Sequence, residues 1–215
     1  MHFHAGRIAI CFPREWGFWG VRQMTERLLD VSDSEALLAE VSRLRGEIHT
    51  LEQRVSMLDR LAHSDSLIDV PNRRGFMRQL ERMIDRVSRY GDRGAMLFVD
   101  IDGLKMINDS LGHAAGDRAL IQVAEVLSAG VRRSDCVARL GGDEFGILIE
   151  HADEDSAKET AARLVSRVVD SDFCFDGSCL PLSVAIGIAV IETGDTAESV
   201  MARADSAMYA EKEAA

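Results

Sequence analysis

Two pairs of acidic residues stand where apolar runs end. Asp100 and Asp102 close the β-prone stretch GAMLFVDI at 94–101, and Asp143 with Glu144 lies between the apolar arms CVARL and FGILIE. Carboxylates converging from neighbouring strand ends make an oxygen-rich site suited to Mg²⁺ (or Mn²⁺), a hard cation that keeps several waters and shares its coordination with substrate phosphates. The chemistry this points to is phosphoryl or nucleotidyl transfer. Taken singly, either pair reads equally well as an element ending in solvent.

The elements that must position these acids follow from periodicity. Pro71 stops a long helix and begins a new one at about Asn72. The pattern then predicts a helix over 72–90, a strand over 94–101, a short helix over 104–110 and a helix over 117–129. A hairpin runs through 135–150, with Gly141-Gly142-Asp143-Glu144 as its turn. A helix over 154–170, a strand over 181–191 and a helix over 196–212 complete the set. This mixture of hairpin and crossover elements predicts an α+β sandwich in which helices cover a mainly antiparallel central sheet.

Ahead of that domain, apolar residues recur at alternating steps of four and three. Val41, Ile48 and Val55 fall at heptad position a, and Leu37, Leu44, Leu51 and Leu58 at d. β-Branched residues at a with leucine at d favour a parallel two-stranded coil, so a parallel dimer over 25–64 is expected. The flanking charges give two favourable pairs between helices, Glu40 with Arg45 and Arg54 with Asp59, and one repulsive pair, Glu47 with Glu52. Such exposed pairs carry tenths of a kcal/mol. The competing reading, a helix packed on its own domain, would want a broader apolar face.

Composition narrows the function classes. The 215 residues carry 36 acidic against 25 basic side chains, a formal net charge of -11. That balance excludes a surface built to track nucleic acid or an anionic membrane, so a phosphate ligand must be held locally. The four cysteines, Cys11, Cys136, Cys174 and Cys179, show no CxxC spacing, which predicts reduced thiols and a cytoplasmic location. The apolar stretch from Ile8 to Trp19 is broken by Pro13, Arg14 and Glu15, too short for a membrane span. Residues 1–24 hold both tryptophans without a sustained period. They read either as a docking segment for a protein partner or as a terminus packed on its own chain. His2 and His4 are a possible metal pair, with a loose terminus the blander account.

From residue 65 to 212 the sequence resembles the GGDEF family of diguanylate cyclases. The signature Gly141-Gly142-Asp143-Glu144-Phe145 follows Ala138-Arg139-Leu140. Upstream, the run from Asp100 to Asp109 (DIDGLKMIND) is similar to the family's DIDxFKxIND block, and Leu111 to Asp117 (LGHAAGD) to its YGHxxGD block. Downstream, Leu182 to Ala189 and Arg203 to Tyr209 are similar as well. Five blocks in the same order make the resemblance specific.

The resemblance implies a nucleotidyl-cyclase or palm-like α/β sandwich over 65–215 that condenses two GTP into cyclic di-GMP across a dimer. It implies that Asp100, the Ile101 carbonyl and Asp143 hold the metal, that Asp143 also favours deprotonation of the attacking hydroxyl, and that Lys105 stabilises charge on the phosphates in the transition state. Asp117, partnered by Asn108, would read guanine, since a carboxylate can accept from its adjacent N1–H and N2–H groups. His113 and Lys212 would lie at the nucleotide and its phosphates, and Gly141 and Gly142 would let the hairpin backbone approach the substrate closely. The stretch Arg132-Arg133-Ser134-Asp135 is similar to the family's product-inhibition site. Arg132 and Asp135 would bind cyclic di-GMP there, with Arg163 as a second arginine.

The sequence also departs from the family pattern. The DxLTGLPNR block reads Asp65-Ser66-Leu67-Ile68-Asp69-Val70-Pro71-Asn72-Arg73, at the junction expected to pass signals from coil to catalytic domain. Leu104 replaces a phenylalanine, Glu211 an alanine, and the closing GRNRV strand is missing before Ala215. These departures keep open a second reading, a catalytically degenerate sensor of GTP or cyclic di-GMP. A third reading makes the chain a dimeric scaffold working through its first 24 residues.

Overall fold

The computed structural model describes residues 18–214, in two units, Met1–Ser56 and Met57–Ala215. The expectations for His2, His4, Cys11 and most of the docking segment lie outside the described residues. Helix α1 covers Phe18–His63, so the last part of the stretch expected to lack a period is helical. It ends eight residues before Pro71, not at it. The seven seam residues, Leu37, Val41, Leu44, Ile48, Leu51, Val55 and Leu58, are all exposed, from 43% at Leu44 to 65% at Leu37. Arg43 bonds Glu40 and Glu47 along the same helix, so Glu40 already has a partner within its own chain.

Beyond α1 the elements are α2 (Arg73–Tyr90), β1 (Gly94–Ile101), α3 (Leu104–Leu111), α4 (His113–Gly130), β2 (Cys136–Gly141) and β3 (Glu144–Glu150). They continue with α5 (Glu154–Val169), β4 (Phe173–Phe175), β5 (Ser178–Leu180), β6 (Val184–Val190) and α6 (Ala197–Ala214). Four strands form one sheet in the order β2-β3-β1-β6, every pair antiparallel. β4 and β5 form a separate two-stranded hairpin. Among the described residues, no helix is long and apolar enough to cross a membrane.

Strand β1 lies in the middle of the sheet and is buried on both faces, which is why it reads as a continuous apolar run. Its side chains alternate between two cores, as the period of two requires. Ala95, Leu97, Val99 and Ile101 pack with Phe145, Ile147 and Ile149 of β3 beneath α4 and α5. Met96 and Phe98 pack with Leu148, Phe76 and Leu80 beneath α2 and α6. Helices therefore cover both faces of the sheet.

Three expectations are corrected. Helix α4 begins at His113 rather than 117, directly after Gly112, whose φ of 86° breaks the chain from α3. The strand expected over 181–191 is shorter, because Pro181 and the residues after it serve as a connector. The unassigned stretch before it forms the β4–β5 hairpin, turned by Asp176 and Gly177 at φ 47° and 81°. That hairpin sets Cys174 opposite Cys179 and the two form a disulfide, so the reading of all four cysteines as reduced thiols fails for this pair.

Candidate active site

Strand pairing gathers the acids. Asp100 pairs in register with Glu144 of β3 on one side and Ala185 of β6 on the other. Its even position puts it on the same face as Met96 and Phe98, the face covered by α6. From that helix Lys212 Nζ donates to Asp100 Oδ1 and lies 3.6 Å from Asp102 Oδ1. The Asp143 carbonyl accepts from Ile101 N–H at 3.2 Å, which fixes the signature turn to the end of β1. Asp102 is held twice by Ser183: its N–H donates to the Ser183 carbonyl at 3.0 Å and its Oδ2 accepts from the Ser183 hydroxyl at 2.9 Å.

The electrostatics follow from this crowding. Burial pushes the Asp100 carboxyl up, with Asp143 and Asp102 adding to the rise and the Lys212 ammonium opposing it. Glu144 is raised chiefly by burial, then by the Asp100 and Asp143 charges, with Arg73 opposing. For Lys212, burial is the largest single influence and disfavours the ammonium, yet the combined pull of Asp100 and Asp102 outweighs it and raises its pKa. The strand ends thus hold a surplus of negative charge next to one internal cation.

Signature residue Gly142 has φ 48°, so the turn itself needs a glycine there. A Cβ at Gly141 or Gly142 would meet no protein atom, so neither glycine is required by packing within the chain. On the other side of β1, Asn108 and Asp117 come from α3 and α4. Gly116 makes that approach possible, because a Cβ there would lie 2.1 Å from Asn108 Oδ1. Lys105, His113 and Asp117 are exposed, and among the described residues no ion pair engages any of them.

The Arg132–Asp135 stretch is a hydrogen-bonded turn, not a side-chain ion pair. The Asp135 carboxylate accepts from Arg132 N–H at 2.8 Å and from Glu150 N–H at 3.2 Å. Arg163 donates to the Gly130 carbonyl at 2.5 Å, so its guanidinium is tied to the end of α4 close to this turn. Sequence reasoning gave no role to Ser183, Arg73 or Arg139. Arg139, inside the quoted signature block, donates to the Gly142 carbonyl at 2.7 and 3.0 Å.

The donor set suits a hard divalent cation. Its side-chain donors are carboxylates, and Lys212 already places a positive charge against Asp100 and Asp102. Among the described residues no three His, Cys, Asp or Glu side chains close a metal cage.

Comparison with known proteins identifies the lineage. The family model for the diguanylate cyclase GGDEF domain matches residues 62–215. The chain is 38% identical over 169 residues to the probable diguanylate cyclase DgcE of Escherichia coli K12, covering 77% of this chain and 15% of that protein. It is 36% identical over 200 residues to the diguanylate cyclase TpbB of Pseudomonas aeruginosa, covering 87% of this chain and 46% of TpbB. It therefore spans less than half the length of either relative. The crystal structure of the coiled coil and GGDEF domain of DgcB from Caulobacter crescentus, in complex with c-di-GMP, superposes with a TM-score of 0.76 at 26% identity, covering 83% of this chain and 95% of that one. By the family match over residues 62–215 and these identities, this chain belongs to the GGDEF family of diguanylate cyclases.

Proposed function

We propose that this chain condenses two GTP molecules into cyclic di-GMP with release of two pyrophosphates, acting as a dimer with one GTP on each catalytic domain. The observation that carries this reading is the meeting of Asp100 and the Asp143–Glu144 turn at one end of β1, with the Lys212 ammonium against Asp100. A divalent cation, Mg²⁺ or Mn²⁺, held by Asp100, the Ile101 carbonyl and Asp143 would neutralise phosphate charge and acidify the attacking 3′-hydroxyl.

The chain's own residues do the rest. Asp143 orients the hydroxyl and favours loss of its proton. Lys105, exposed at the start of α3, meets the charge that builds on the phosphates as the bond breaks, which lowers the barrier only if the contact strengthens in the transition state. Asp117 accepts from guanine N1–H and N2–H, and Asn108 completes the contact. Adenine lacks that donor pair and would leave the carboxylate unsatisfied. The open space over Gly141 and Gly142 leaves room for the nucleotide against bare backbone. His113 lies beside it, and Lys212 turns from the carboxylates to the phosphates when GTP is bound.

Arg132 and Asp135 form the product-inhibition site, with Arg163 nearby. Each Asp135 oxygen already accepts one backbone N–H and keeps a second lone pair for the base, so those bonds orient the carboxylate toward the ligand. The exposed seam of α1 pairs two chains in parallel and brings the half-sites together. Fully burying a large aliphatic side chain is worth about 1.5–3 kcal/mol, so covering these seven exposed residues on each helix favours association. The cytoplasm, where GTP is abundant, is the location this function needs.

The test is incubation of purified protein with GTP and Mg²⁺, followed by chromatography for cyclic di-GMP and pyrophosphate, beside D143A. Product from the parent and none from D143A supports the cyclase. No product over a range of protein concentrations, with GTP binding intact, overturns it in favour of a nucleotide-sensing relative.

A further inference from the structure

The β4–β5 hairpin plays no part in the chemistry above, yet it is built around a pair of sulfur atoms. Its two-residue turn, Asp176-Gly177, closes on Phe175 and Ser178, and Cys174 and Cys179 are the next pair outward. In a hairpin of this kind that pair is the non-hydrogen-bonded one, where facing Cα atoms come closest. The two Cα atoms are 4.1 Å apart and a disulfide joins them. Both cysteines are exposed, so an external thiolate can reach either sulfur. Cys136 differs: burial pushes its thiol up to about 11, which keeps it a poor nucleophile at neutral pH.

The hairpin is coupled to the site through the chain that follows it. Phe173 is buried in the core under α4 and α5, and Phe175 and Leu180 pack partly against the same core. Four residues beyond Cys179 stands Ser183, whose carbonyl and hydroxyl hold Asp102 beside Asp100. With strands of only three residues each, the hairpin has few backbone bonds to keep it ordered, and the disulfide is its one covalent brace. A two-stranded hairpin this short is not stable on its own in water.

We infer that Cys174 and Cys179 form a reversible thiol–disulfide site whose state sets how firmly Ser183 holds Asp102. The step is a two-electron exchange. A thiolate of an external dithiol attacks one of the two sulfurs, the Cys174–Cys179 bond breaks, and the departing thiolate takes up a proton. The reductant's second thiol then resolves the mixed disulfide, leaving two protein thiols and an oxidised dithiol. A small-molecule disulfide drives the reverse. Exposed disulfides are the labile ones under such exchange. In the bonded state the Leu180–Ser183 connector is anchored at its start; in the dithiol state it loosens, and Asp102 loses its fixed orientation. An effect on turnover rests on the proposed cyclase reading, whereas thiol chemistry and local order do not.

The experiment uses the full chain with C11S and C136S, so that only this pair can react. Protein purified without reductant is treated with a maleimide and weighed by intact mass spectrometry, before and after dithiothreitol. Zero adducts before and two after are expected. Hydrogen exchange at the Asp102 amide, which donates to the Ser183 carbonyl, is then measured in both states and in C174S/C179S. Exchange about tenfold faster is expected in the reduced protein and in the double variant, since local opening reports local stability. Two adducts without reductant, or equal Asp102 exchange in both states, would overturn the inference. Failure of the cyclase assay alone would bear only on the proposed activity.

Discussion

Arg139 bridges Asp65, at the junction between α1 and the catalytic domain, and the carbonyl of Gly142 in the signature turn. Its Nη1 donates to Asp65 Oδ1 at 3.3 Å, and its Nε and Nη2 donate to Gly142 at 3.0 and 2.7 Å. Asp65 Oδ1 also accepts from Leu67 and Ile68 N–H, so one carboxylate shapes the junction and binds the arginine. Both side chains are only 16% exposed. R139M should lower the unfolding free energy in urea by about 2 kcal/mol, since it leaves a largely buried carboxylate with its backbone donors but without a counter-charge. R139K should recover less than half of that, because an ammonium cannot serve both partners in the guanidinium's fork. A loss under about 0.5 kcal/mol for R139M would show that the bridge carries little.

Gly187 sets how closely α6 lies on β6. A Cβ there would come within 2.0 Å of the Ala204 carbonyl and 2.2 Å of Met208 N, both backbone atoms that no rotamer change can move. G187A should therefore cost about 3 kcal/mol or more, or prevent folding. G146A is the milder comparison, because its Cβ would meet the Phe76 ring at 2.7 Å and a side chain can yield. Urea titrations of the two variants should rank them in that order.

Asp195 has its pKa lowered to about 2, first by the hydrogen bond from Arg203, against a smaller opposing effect of burial. Its folded pKa lies below the unfolded value, so its stabilisation is complete above about pH 4 and is lost as pH falls toward 2. With the Arg203 side chain 43% exposed, solvent screening reduces the worth of the pair to about 1 kcal/mol. R203M should be less stable than the parent by about that amount at pH 7, with the gap narrowing toward pH 2. A gap that stays constant between pH 5 and pH 2.5 would assign the loss to packing instead.

The exposed heptad stripe makes a prediction about assembly. Replacing Leu44 and Leu51 with aspartate puts like charges at the centre of a parallel seam, where they oppose each other across the two-fold axis. L44D/L51D should sediment as a monomer at concentrations where the parent is a dimer. Its circular dichroism should lose helix signal in proportion to α1 alone, because the catalytic domain has its own core. A parent that is monomeric throughout would remove the coil from the account of activity.

Much of the architecture was legible because its signals are local. β1 matches the apolar run at 94–101, and the β2–β3 turn falls on the paired glycines. The β4–β5 hairpin was missed although its turn is Asp-Gly, a strong hairpin signal. Its strands, at three residues each, are too short to show alternation. The start of α4 was misplaced because no Ser, Thr, Asp or Asn side chain caps it and Gly116 reads as a helix breaker. That glycine is explained only by Asn108, eight residues back, pressing against it. The Lys212 contact with Asp100 spans 112 positions and depends on how α6 lies on the sheet, which no local pattern encodes.

Asn72 joins two helices through one side chain. Its Nδ2 donates to the carbonyls of Ala62 and Ser64 at the end of α1, at 3.0 Å each, and its Oδ1 accepts from Gly75 N–H to cap α2. The joint therefore behaves as a latch more than as a loose tether. Releasing α1 from α2 breaks these two hydrogen bonds and a third, from the Asn72 N–H to the His63 carbonyl at 2.8 Å, each worth about 1 kcal/mol net. Opening the latch therefore costs roughly 3 kcal/mol. The end of α1 and the start of α2 are thereby held together within Met57–Ala215.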